Sequence, residues 1–146
     1  MKILKIENAK LMWTNFAGEE QPPYNPKGRR NFCVLLPLEL AEQMEKDGWP
    51  VIMKEPDDPD DDPFCYIRVT VKFKDDRDWN PKIKMITESG ETELDSESVK
   101  VLDQAIIDHA TVKLSPWKWT WGSKTGITTY LKSADVYIKN TSDRRE

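Results

Sequence analysis

The chain has 146 residues, six of them Trp, with 38 % apolar and 33 % charged residues and a formal net charge of −4. That length suits one domain able to bury a core without disulfides or metal. No apolar run approaches the length of a membrane span, and no nucleophile, phosphate-loop or paired-histidine motif is present.

Residues 2 to 13, "KILKIENAKLMW", read as a strand whose alternation shifts at Glu7-Asn8, which predicts a bend or bulge there. The stretch "TNFAGEEQPPYNPKGRRNF" is dense in Gly, Pro and Asn and predicts a long loop carrying Tyr24, Lys27, Arg29 and Arg30. Long loops in compact domains are commonly functional. "NFCVLLP" predicts a short buried strand. "PLELAEQMEKDG" predicts a helix, with Pro37 near its start, Leu40, Ala41 and Met44 at helical spacing, and Gly48 where a C-terminal cap belongs.

After "WPVIMK" comes "EPDDPDDDP", residues 55 to 63, with six acids and three prolines in nine positions. Such a run excludes helix and sheet and predicts a solvated, mobile loop. A solubilising role is favoured over a Ca²⁺ site, because the alternating ligands, central Gly and closing Glu of an EF-hand loop are missing. A further reading is that this acidic tether competes with phosphate for a basic groove. Ten acids against two bases between residues 39 and 62 make a local balance of −8, which leaves +4 on the remainder. The overall negative charge therefore does not exclude a nucleic-acid ligand.

The clearest strand is "FCYIRVTVKF", which puts Cys65, Ile67, Val69, Val71 and Phe73 on one face and Phe64, Tyr66, Arg68, Thr70 and Lys72 on the other. The first face is core. The second mixes aromatics with cations. "PKIKMIT" predicts a strand with Lys82 and Lys84 together on one face, and "GETELDSESVKVLDQAI" a turn and short helix capped by Asp95 or Ser96. Residues 106 to 114 predict another strand. In "PWKWTWG", residues 116 to 122, an extended backbone places Trp117, Trp119 and Trp121 in one row with Lys118 behind it. A "GSKTG" turn containing Lys124 leads to "ITTYLKSADVYIKN", with Tyr130 and Lys132, as the return of a closing hairpin. "TSDRRE" predicts a frayed tail at 141–146.

Five to seven strands with two short inserted helices and no strand-helix alternation predict a mainly β fold. We expect a small, partly open barrel with a C-terminal hairpin, forming one domain over residues 1–140. The N-terminal stretch is interrupted by Lys2, Lys5, Glu7 and Lys10 and lacks the pattern of a secretory signal, so the expected location is the cytosol.

Catalytic and metal chemistry find little footing. Cys33 and Cys65 lie in apolar runs and read as buried free thiols, and His109, the single histidine, reads as an ordinary polar position. Asp103 and Asp108 could form a carboxylate pair for a metal-dependent nuclease, but among 26 acids such pairs arise by chance. No cofactor is implied. Proteins that hold single-stranded nucleic acid without reading its sequence combine a cationic groove with aromatic rings. Both ingredients recur together: Lys27, Arg29 and Arg30 beside Tyr24, Arg68 and Lys72 beside Tyr66, Lys132 beside Tyr130, and Lys118 and Lys124 around the tryptophans. The indole row is expected to divide, with one or two rings in the core and the others at the groove's rim.

The segments "NFAGEE…YNPKGRRNF…LAEQMEKDGWPV" at residues 15 to 51, "LDQAIIDHATVKLSPWKW" at 102 to 119 and "GITTYLKSADVYI" at 126 to 138 together resemble the bacteriophage-encoded single-stranded DNA-binding proteins with an OB-fold. The resemblance runs through nearly the whole chain. It implies a five-stranded, OB-fold-like barrel with helical insertions that coats DNA strands exposed in phage replication or recombination, in the host cytoplasm, without catalysis. Phage replication or recombination proteins and a second copy of the chain are further partners it suggests. The Tyr24-Asn25, Gly28 and Arg30-Asn31-Phe32 positions match the family's loop-to-strand motif, with Gly28 permitting a tight turn and Arg30 making a phosphate or structural contact. Many members end in an acidic tail, whereas the acid run here is internal. An alternative is therefore an acidic interaction module that imitates nucleic acid toward a basic host factor.

Overall fold

The computed structural model describes residues 2–20, 27–74 and 80–139. Strand β1 (Leu4–Asn15) carries the expected irregularity: Asn8 has a φ of 53°, and the register against its neighbour shifts between Ile6 and Ala9. Asn tolerates this left-handed conformation because its short side chain can bond locally. A second positive φ, 50°, falls at Trp13, where the pairing shifts between Met12 and Asn15. The expected frayed tail at 141–146 lies outside the described residues.

Strand β2 (Arg30–Leu36) is followed by helix α1 (Leu38–Lys46), which buries Ala41 and Met44. Gly48, at a φ of 98°, ends it, and the Trp49 amide donates to the Met44 carbonyl at 2.9 Å. Strand β3 (Ile52–Lys54), the exposed acidic loop and strand β4 (Phe64–Val71) form a hairpin, with Lys54 opposite Phe64.

Strands β5 (Lys82–Thr87) and β6 (Gly90–Leu94) make a second hairpin. Sequence reasoning gave only a turn at β6, because Glu91, Thr92 and Glu93 are all exposed and only Leu94 is buried. Helix α2 is short, Val101–Gln104. Asp95 caps the turn ahead of it, accepting the Glu97 and Ser98 amides at 3.0 and 2.8 Å, and these bonds hold its carboxyl below the usual range.

The chain closes with two long strands, β7 (Ile107–Trp121) and β8 (Lys124–Ile138). Antiparallel pairings join β7 to β1, β1 to β2, β2 to β4 and β7 to β8. A parallel bridge between Thr70 and Tyr130 joins β4 to β8. These five strands make a closed barrel, which bears out the expected mainly β, five-stranded barrel with two inserted helices; its closure rests on that one bridge, which no local pattern announces. Strand β3 extends the sheet beside β4, and β5 and β6 extend it beside β8.

The core fills the barrel with Phe32, Val34, Ile67, Val69, Val112, Leu114 and Val136, all fully buried. Phe16 stacks on Phe32 with centroids 5.2 Å apart. Cys33 and Cys65 are buried free thiols; burial pushes the Cys33 thiol up, opposed by the nearby Arg68 guanidinium. Among the described residues no helix is long and apolar enough to cross a membrane.

Candidate nucleic-acid interface

The long loop between β1 and β2 is fixed at both ends. Asn15 closes its start, accepting the Glu19 amide at 2.9 Å and donating to the Glu19 carbonyl at 3.0 Å. Both oxygens of Asp103 accept backbone amides, from Phe16 and Ala17, each at 2.9 Å. At the far end the Gly28 amide donates to the Gly18 carbonyl at 2.7 Å, and Gly28 takes a φ of 90° that suits glycine. Arg30 ties loop to barrel, donating to the carbonyls of Phe16 at 3.1 Å and Ser96 at 2.7 Å while its guanidinium lies 5.1 Å from the Phe73 ring centre. This anchoring presents Lys27 and Arg29 to one side of the barrel.

There they meet the outer face of β4 and the start of the β7–β8 arm. Lys27, Arg29, Arg30, Arg68 and Lys72 line an open cavity of about 620 Å³, whose other walls include Thr70, Thr128 and Tyr130. No carboxylate lines it among the described residues. Five cations gathered on one open cavity suit a polyanion. Arg30, committed to two carbonyls, acts here mainly as the strut.

Beyond the cavity β7 and β8 continue as a two-stranded arm. Directly opposed residues of an antiparallel pair share a face. Tyr130 opposes Ser115, Thr128 opposes Trp117, Gly126 opposes Trp119 and Lys124 opposes Trp121. The indole row is thus continuous with the cavity wall. Trp117, Trp119 and Trp121 are 61, 41 and 80 % exposed, which corrects the expected division between core and rim: none of the three is core. The barrel closes below the arm, and among the described residues the rings stay open to solvent. Trp119 lies over Gly126, where a Cβ would strike the indole.

A second aromatic group adjoins the cavity on the β4 side. Tyr66 lies two residues before Arg68 on the same face, about 7 Å along the strand. Trp13 meets Tyr66 edge-on at 5.1 Å and lies 6.3 Å from Phe64, and the Lys54 ammonium stands 5.6 Å from the Trp13 ring centre. Sequence reasoning placed Trp13 at the end of a strand and gave it no role. The bulge that turns its ring onto β4 leaves only a faint mark, the polar pair Thr14-Asn15 after the apolar "LMW".

Other predicted residues fall elsewhere. Tyr24 lies outside the described residues. Lys118 opposes Ile127 on the reverse of the arm. Lys132 is exposed at the irregularity between the Lys113 and Leu114 pairings and does not line the cavity. Lys82 is paired beside Ser133, outside the cavity, and Lys84 forms an ion pair with Glu91 at 3.8 Å. The suggested carboxylate pair is also not assembled. Asp103 is occupied by backbone amides, and Asp108 holds His109 at 2.6 Å, whose ring stacks on Tyr137 at 4.4 Å. Among the described residues no group of three or more His, Cys, Asp or Glu side chains is placed to hold a metal ion.

The model of the phage ssDNA-binding domain family matches residues 1–146. The chain belongs to this family. No curated protein sequence matches it significantly. Among solved structures, the single-stranded DNA-binding protein of bacteriophage Enc34 in complex with ssDNA is similar at a TM-score of 0.61 and 12 % identity, covering 94 % of this chain and 87 % of that one. A C-terminal truncation of the Enc34 protein gives 0.58 and 14 %, with the same coverage. The single-stranded DNA-binding protein gp2.5 of bacteriophage T7 gives 0.46 and 16 %, over 100 % of this chain and 97 % of that one. At these identities the Enc34 likeness establishes the barrel, and the family match establishes the class of ligand.

Proposed function

We propose that this phage single-stranded DNA-binding domain grips one unpaired strand with its phosphates in the cavity of Lys27, Arg29, Arg68 and Lys72 and its bases on Trp117, Trp119 and Trp121. One observation carries the reading: Thr128 and Tyr130 line the cationic cavity and stand on the same arm face as the indoles. Charge and flat rings converge, as a sequence-tolerant grip requires. The matched structure of the Enc34 protein, described as a complex with ssDNA, supports the same ligand here.

No base-edge reader is needed for such a grip, since every base has a π-face and every nucleotide a phosphate. The protein would coat strands exposed during phage DNA replication or recombination in the host cytoplasm, as a binder rather than an enzyme. Tryptophan fluorescence titrated with oligo-dT at several salt concentrations tests this. Quenching is expected, with log affinity falling by about 0.7 per neutralised phosphate on a log-salt axis. Binding that ignores salt, or equal affinity for duplex, would overturn it.

A further inference from the structure

Trp13 is costly to the fold and stands outside its core. A bulky residue at a φ of 50° sits in a sparsely populated region, a strain of about 1–3 kcal/mol that persists where the surroundings enforce it and that clusters at ligand sites. The ring is 53 % exposed and lies outside the buried core. The register shift between Met12 and Asn15 directs it onto the outer face, against Tyr66 and Phe64, which are themselves tilted together at 6.0 Å. The Lys54 ammonium stands over the indole, 5.6 Å from its centre, on a flexible side chain that an incoming base would displace toward its own phosphate.

The position of this group gives it a ligand. Tyr66, Arg68 and Thr70 stand in one line on the outer face of β4, and Arg68 and Thr70 already line the cavity. The parallel bridge at Thr70 and Tyr130 makes the two walls leave the cavity from a common junction: Arg68, Tyr66 and Phe64 along β4, and Thr128, Gly126 and Lys124 along β8. One wall ends in the arm indoles and the other in Trp13. Past Phe64 the acids of residues 55–62 follow at once, a charge that repels phosphate and sets a boundary.

We propose that Trp13, backed by Tyr66 and Phe64, is a second stacking station that takes a nucleobase of the same DNA strand on the β4 side of the cavity, and that the acidic loop ends the footprint there. This rests on the reading that cavity and arm hold single-stranded DNA. It predicts two aromatic stations separated by a phosphate-binding segment, so that strands long enough to span both gain from Trp13 and short ones do not.

The test uses the full chain with oligo-dT of about 4 and about 16 nucleotides, the range one OB fold occupies. Trp13→Ala is expected to weaken the longer strand by roughly 5- to 150-fold, the worth of one stacked base, and to leave the shorter unchanged. Trp13→Leu, which keeps apolar bulk against Tyr66 but has no π-face, should lose the same increment, and Trp13→Phe should recover most of it. No change with the longer strand, or equal losses with both lengths, overturns the proposal. So does a loss that Trp13→Leu restores, which would show a packing role. If Trp121→Ala and Lys72→Ala also leave both lengths unaffected, the interface reading itself has failed, a result distinct from failure of the second station alone.

Discussion

Gly126 stands directly across the arm from Trp119, and the indole occupies the space that any side chain at position 126 would need. Gly126→Ala is therefore a mutation of Trp119 by proxy. Its methyl must displace the ring, so DNA affinity should fall within the roughly 1–3 kcal/mol that one stacked base contributes. The tryptophan emission maximum should move as the ring swings into water. The melting temperature should hold within about 2 °C, because the arm lies outside the core.

Trp117→Ala and Trp121→Ala should behave alike. Both rings are exposed, so each substitution is expected to weaken oligo-dT binding by about 1–3 kcal/mol and leave the melting temperature nearly unchanged. Calorimetry beside titration checks this, and a large loss of stability would show that the arm packs against something.

Arg30 and Lys72 line one cavity and should separate cleanly. Arg30→Ala removes two charge-assisted bonds to backbone carbonyls, each worth about 1.5–3 kcal/mol when well desolvated, and should lower the melting temperature by several degrees. Lys72→Ala should leave stability alone and reduce the salt slope of binding by about 0.7. The reverse pattern would exchange the strut and the phosphate contact.

Much of this architecture is legible in the residues themselves. The alternation of "FCYIRVTVKF", the bulge at Asn8 and the helix stopped at Gly48 are local signals, and local physics decides them. The indole row is legible too, as a row. Its exposure is not, because alternation says which residues share a face and not whether a sheet covers it. That depends on where the barrel closes, a contact between Thr70 and Tyr130 some sixty residues apart. Trp13 escaped for the same reason, since its partners Phe64 and Tyr66 lie on a distant strand. Arg30 stayed open between a phosphate and a structural contact because nothing near it in sequence reveals the Ser96 carbonyl.

The Thr129 hydroxyl is buried at the base of the arm with no hydrogen-bond partner among the described residues. An unsatisfied buried hydroxyl costs about 1–3 kcal/mol. Thr129→Val keeps the shape and removes the polar atom, so the melting temperature should rise by a few degrees with DNA affinity unchanged. A lower melting temperature would mean that the hydroxyl is bonded.

Cys33 gives the stability a pH edge. Its folded-state pKa is raised by burial, so the native chain favours the protonated thiol. That contribution is complete below the ordinary thiol pKa of about 8.5 and is lost as pH rises through the higher folded value. Urea midpoints of the wild type should therefore fall relative to Cys33→Ala above about pH 8.5, and parallel curves would refute it.

The parallel rung between Thr70 and Tyr130 is the only backbone pairing between β4 and β8 among the described residues, and both of its residues line the groove. DNA lying across that groove, as proposed, would act as a clasp on the seam. Loading at a hundred times the dissociation constant would add about 2.7 kcal/mol of resistance to unfolding. Protein riding on DNA would then outlast heat and proteases, while idle copies, with the seam unclasped, would be the first to be cleared.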